Sequence, residues 1–133
     1  MTTTRLREAL LLANRYTLAH LSNRQATALP ALRQQYDQSK QLYSQQLQEM
    51  VAFALQGSEL SRLEAVQKLA PQVFGMAEKT MGLHQQQVEL EARLMGMRNQ
   101  FLRLDDSYRS AADLLLQFTS SKRSLHNKAE LIT

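Results

Sequence analysis

Gln72 to Leu125 reads QVFGMAEKTMGLHQQQVELEARLMGMRNQFLRLDDSYRSAADLLLQFTSSKRSL, and its periodicity decides the fold. Stepping by seven from Met76 lands on Leu83, Leu90, Met97, Leu104, Ala111, Phe118 and Leu125, every one apolar. A companion line four residues on gives Gln87, Leu94, Phe101, Tyr108 and Leu115, apolar after its first member. Two such lines form a seam with a period of seven, the pattern of coiled-coil or long-bundle packing. The spacing predicts one amphipathic helix over about 72–125, roughly 80 Å long at 1.5 Å per residue.

A second apolar line shares the first half of this helix. Phe74, Met81, Val88, Met95 and Leu102 are also seven apart, and Arg109 ends the run. They stand two positions before the first line, about 200° around the helix. A helix that is apolar on two sides needs neighbours on two sides. These five residues are therefore the candidate partner-binding surface. Either another helix of the chain covers them in local three-helix packing, or a second copy or another protein does. Met76, Met81, Met95 and Met97 cluster there with Gly75, Gly82 and Gly96. Adaptable thioethers suit a docking face, and a glycine line admits close approach of a neighbouring backbone; both also suit an ordinary core.

Outward from this stretch the chain remains helical. Pro71 suits the first turn of the long helix, where its missing N–H costs little. Before it, Leu60, Leu63 and Val66 mark a short helix at about 59–69, with Gly57 as a stop and Ser58 as its N-cap. Leu29, Tyr36, Tyr43 and Met50 form a heptad line on a helix at about 28–56, with Thr27 as cap and Pro30 in the first turn. Leu6, Leu10, Ala13, Thr17 and Leu21, with Leu11 and Leu18 alongside, mark a first helix at about 4–22. The register changes near Pro30, which predicts a kink or break.

Composition agrees with an all-α fold. The 133 residues include 24 Leu and 16 Gln against four Gly, two Pro and no Trp. Leu, Gln, Ala, Arg, Glu and Met enter helices at least cost, and β-formers are too few for a sheet. The length suits one domain, 1–133. Helices 1 and 2 together match the long helix in span. The expected architecture is an elongated antiparallel helical hairpin or coiled coil with a kinked first arm. The alternative is a compact three- or four-helix bundle in which helix 1 folds back at Ser22–Leu29.

The net charge of +4 is concentrated at the chain ends. A hairpin brings Arg5 and Arg7 together with Lys122, Arg123 and Lys128 as one basic end. No helix carries a continuous basic stripe interleaved with aromatics, so solvated helix ends outweigh a nucleic-acid site. The chain has no Cys, which excludes disulfides and thiolate chemistry. His20, His84 and His126 lack partners at metal-ligand spacing, Asp105 and Asp106 diverge on a helix, and no phosphate-binding or nucleophile motif occurs. No enzyme activity, cofactor or metal is expected. No run is long enough to span a membrane or to serve as a signal segment, and a cytoplasmic address is expected.

In general shape and composition, a small, Gln-rich, Cys-free helical rod resembles bacterial export chaperones and the coiled-coil stalks of flagellar and type III secretion machinery. The resemblance is one of shape, with no motif matched residue by residue. It implies a non-enzymatic interaction protein, an adaptor, chaperone or stalk, that binds partner helices. The alternatives are a nucleic-acid-associated or regulatory protein using the basic end, and a self-assembling structural coiled coil.

Overall fold

The computed structural model describes residues 2–53 and 56–132 and contains three helices: α1 (Thr2–Ser22), α2 (Leu29–Val51) and α3 (Ser58–Ile132). A single 3-10 turn, Ala26–Ala28, lies before α2, and no strand occurs among the described residues. The protein is all-α. The chain, read by its length as one domain, divides into two compact units, residues 1–91 and 92–133.

In residues 1–91, α1 packs directly on α2. The connector joining them is six residues long, so the two helices form an αα-hairpin. This corrects the expected kinked arm: instead of continuing in line past Pro30, the chain turns back on itself over residues 23–28. The turn is local chemistry. The Asn23 side chain accepts from the Gln25 backbone N–H at 2.8 Å, and Ala28 N–H donates to the Gln25 carbonyl at 3.0 Å. Pro30 occupies the first turn of α2 as expected, but Ala28, rather than Thr27, is the capping residue and makes no side-chain cap.

The first 34 residues of α3 lie in the same unit and close the core. Leu6, Ala9 and Ala13 of α1, Tyr36 and Tyr43 of α2, and Ala70, Phe74 and Met81 of α3 form one buried cluster. Small alanines on α1 and α3 share this cluster with the aromatics Tyr36, Tyr43 and Phe74. Phe74 meets the Tyr43 ring edge-on at 5.1 Å between centroids and the Tyr36 ring at 6.3 Å. The expected α2 line holds: Leu29, Tyr36 and Tyr43 are buried and Met50 is half-buried against the cluster. On α1 the buried line is Leu6, Ala9, Ala13, Thr17 and His20; Leu10 and Leu21 are half-buried, and Leu11 and Leu18 are exposed. The buried Thr17 hydroxyl donates to the Ala13 carbonyl at 2.9 Å, so the polar group is satisfied within its own helix.

Several boundaries differ from the sequence reading, among them the end of the long helix, at Ile132 rather than about 125. The helix expected over 28–56 ends at Val51, and positions 54 and 55 of that expectation lie outside the described residues. Gly57 does punctuate the chain, with φ at 64° in the left-handed region that glycine enters without strain. Its carbonyl accepts from the Ser61 N–H at 3.3 Å, which makes Gly57, not Ser58, the residue before the first turn. The expected short helix and long helix are one helix, with Pro71 inside it. An interior proline costs about 3 kcal/mol. Leu63 and Ala70 before it, and Phe74 and Met81 after it, are all buried, so continuous helix is what keeps both groups in the core. Burial of each large side chain contributes about 1.5–3 kcal/mol, enough to offset the lost bond.

Among the described residues of the second unit, α3 is the only element; apart from half-buried Asp105 and Ala112, the side chains of residues 92–130 are exposed.

Candidate helix-binding surface

The five residues expected to bind a partner divide between the two units. Phe74, Met81 and Val88 are 5%, 0% and 2% exposed, and the contacts of Phe74 and Met81 lie in the core of residues 1–91. Their burial removes them as a docking surface, and α1 and α2 supply the neighbours of Phe74 and Met81. Met95 and Leu102 lie in residues 92–133 and are 61% and 46% exposed. The seam that the sequence suggested as the buried one is instead the open face. Met76, Leu83 and Leu90 are exposed in residues 1–91. In residues 92–133, Leu94, Met97, Phe101, Leu104, Tyr108, Leu115, Phe118 and Leu125 are 61–73% exposed, and Ala111 is exposed with them.

Side chains that decide which line is buried surround Glu78. It lies four residues after Phe74 and three before Met81, on the same face. Lys40 Nζ reaches its two carboxylate oxygens at 3.0 and 2.9 Å, and Arg33 Nη2 lies 3.7 Å from it. Tyr36 Oη donates to Glu78 Oε2 at 3.2 Å, with the Phe74 carbonyl at 3.4 Å. Burial, followed by the charge and hydrogen bond of Glu78, pushes the Tyr36 phenol well above its ordinary range, so the hydroxyl remains a donor. Lys40 also stands 5.6 Å over the Phe74 ring. Rotating α3 to bury Met76 and Leu83 would carry Glu78 away from both cations.

At the connector end of the bundle, His84 Nε2 donates to the Asn23 carbonyl at 2.7 Å and its ring meets His20 edge-on at 5.4 Å. His20 is fully buried, and neither ring nitrogen has a hydrogen-bond partner among the described residues. Desolvation lowers its pKa below the ordinary 6.5, with the charges of His84 and Arg33 acting in the same direction. Sequence spacing alone did not bring these histidines together; the fold-back of α1 does. They are two ligands without a third, and no group of three or more His, Cys, Asp or Glu able to hold a metal occurs among the described residues.

An open groove of about 640 Å³ between α2 and α3 is lined by Tyr43, Leu47, Phe74 and the Lys40–Glu78 pair, whose charges are already matched to each other. Of the expected basic end, Arg5 and Arg7 are exposed in residues 1–91, while Lys122, Arg123 and Lys128 are exposed in residues 92–133. Lys122 lies 6.0 Å over the Phe118 ring one turn earlier. No helix among the described residues is long and apolar enough to cross a membrane.

What the arrangement offers is a helix surface. From Leu94 to Phe118 both lines of the seam are apolar and exposed, a pattern compatible with knobs-into-holes packing of a second amphipathic helix. No protein-family model matches the chain, and comparisons with characterised proteins and with solved structures find no match.

Proposed function

We propose that this is a non-enzymatic interaction protein in which residues 1–91 fold as a small three-helix platform and residues 92–125 present a helix-binding seam. The observation that carries the reading is the continuous exposed 4-3 line Leu94, Met97, Phe101, Leu104, Tyr108, Ala111, Leu115 and Phe118. Contiguous apolar surface of this kind marks interaction sites on soluble proteins, since single scattered apolar residues need no partner but a sustained seam does. An adaptor, an export chaperone and a coiled-coil stalk are the members of this class that the resemblance in shape favours, and a cytoplasmic setting belongs to the same proposal.

The test is site-specific photo-cross-linking in the cells that make the protein. A photoreactive phenylalanine at Phe101 or Tyr108 is expected to capture a helical segment in high yield. The same group at Asn99 or Asp113, on the opposite face, is expected to capture little. Equal yields from the two faces would overturn the reading.

A further inference from the structure

Resting on that reading, we infer that the helix received by the seam is the same segment of a second copy, lying antiparallel with Phe101 against Leu104 of the second copy. The argument comes from the charges that flank the seam. With Leu94, Phe101, Tyr108 and Leu115 at a positions and Met97, Leu104, Ala111 and Phe118 at d positions, Arg93 stands at g and Glu91, Arg98 and Asp105 stand at e. In a parallel in-register pair, each g residue faces the e residue five positions on in the other chain. That arrangement puts Arg93 against Arg98 of the second copy, twice.

In an antiparallel pair, e residues face e residues and a residues layer on d residues. Centring the pair between Phe101 and Leu104 places Arg98 beside Asp105 of the second copy and, by the two-fold axis, Asp105 beside Arg98 of the second copy. Moving the register by one heptad in either direction sets Asp105 against its own counterpart or Arg98 against its own counterpart. Of these three registers, only the central one is free of like charges at these positions. Its core layers also match in size: Leu94 meets Ala111 and Met97 meets Tyr108 of the second copy. Asp105 is already half-buried beside Arg109, 3.1 Å away, and accepts a second guanidinium on its other side.

The chain has no cysteine, so the geometry is directly testable by introduced pairs. Variants Leu94→Cys and Ala111→Cys, mixed under mild oxidation, are expected to form a mixed disulfide, since the a–d layer brings the two positions within reach. Either variant alone is expected to remain uncross-linked, because each position lies about 25 Å from its own counterpart in this register. Self-cross-linking of the single variants would overturn the antiparallel arrangement.

Sedimentation equilibrium is expected to show a dimer of the native chain. Arg98→Asp is expected to weaken it about tenfold and the further change Asp105→Arg to restore it. A parallel pair would instead be strengthened by Arg98→Asp, which turns the Arg93 clash into an attraction. A chain that stays monomeric at every concentration overturns the second copy as occupant. If Phe101 then still captures another protein in the cross-linking experiment, the helix-binding reading stands without it; if Phe101 captures no more than Asn99, both fall.

Discussion

Residues 1–91 and residues 92–133 use the same helix in opposite ways. In the first unit, α3 turns Phe74, Met81 and Val88 inward and leaves Met76, Leu83 and Leu90 in solvent. In the second, no side chain of residues 92–130 is fully buried, and the line of Leu90 continues through Met97, Leu104 and Phe118 with the apolar companions Leu94, Phe101, Tyr108 and Leu115. The change of companion explains the difference. Beside Leu83 and Leu90 the neighbouring positions are Thr80 and Gln87, both polar, so that half of the seam is incomplete. Beside Phe74 and Met81 stand Ala70 and Ala77, which leave room for a packed helix, and Glu78, whose charge is met by Lys40 and Arg33. From Leu94 the companion line becomes apolar, and the inward line ends at Arg109. The hand-over between lines falls between Val88 and Leu94, where the two units meet in sequence. Periodicity shows how many faces a helix must cover; the residues flanking each line choose which face its neighbour takes.

The comparison breaks most decisively with one substitution in each unit. Met81→Glu puts a carboxylate in a fully buried site without a partner and is expected to destabilise residues 1–91 by more than about 3 kcal/mol. Met95→Glu, two heptads on along the same line, is expected to change that unfolding by less than about 0.5 kcal/mol. Urea titrations followed by circular dichroism measure both. Comparable losses would mean that the line is buried along its whole length.

Much of this was readable in the sequence, and the losses have specific causes. The all-α class follows from composition, and the Leu29–Tyr36–Tyr43 line follows from its period. The inversion of faces on α3 was not legible from apolar spacing, because both lines satisfy it in the first half of the helix. The signal that separates them is Glu78 between Phe74 and Met81, with Arg33 and Lys40 seven apart on α2 to receive it. The continuous helix through Pro71 was hidden because a proline reads as a boundary when the burial on both sides of it is unknown. His20 and His84 are 64 residues apart, and only the fold-back at residues 23–28 brings their rings together.

A smaller effect sharpens the contrast between the polar contacts of the two units. Glu78→Gln removes the charge that holds Lys40 and Arg33 in a site only about a quarter exposed, and is expected to cost residues 1–91 about 1–2 kcal/mol. Asp105→Asn disrupts an i,i+4 pair with Arg109, whose side chain is three-quarters exposed. It is expected to cost the helix about 0.3–0.5 kcal/mol, and the proposed dimer more. Denaturant unfolding for the first and helix content at low protein concentration for the second distinguish the two.

The connector end of residues 1–91 predicts a pH dependence of their stability. The pKa of His20 is lowered in the folded state, so the unfolded chain binds its proton first as the pH falls. This contribution to stability is complete above the ordinary value of 6.5 and is lost as the pH falls below it toward the folded value. One proton limits the slope to about 1.4 kcal/mol per pH unit. In His20→Leu, with the unpartnered ring nitrogens removed, the unfolding midpoint is expected to change less between pH 7 and 5 than in the parent. An unchanged dependence would assign it to another group.

A further effect concerns the glycines whose line along the helix suggested close backbone approach. A Cβ added at Gly75, Gly82 or Gly96 meets nothing within 4 Å, so no neighbour in the chain requires their absence of a side chain. Gly75→Ala is therefore expected to raise the stability of residues 1–91 by about 0.5–1 kcal/mol through helix propensity alone. Gly96→Ala is expected to leave that unfolding unchanged while raising helix content in residues 92–133. It also bears on the dimer: in the antiparallel register Gly96 occupies a c position, outside the layers, so its methyl group leaves association intact. Weaker association in Gly96→Ala would place a second backbone on the glycine line and move the interface off the Phe101–Leu104 seam.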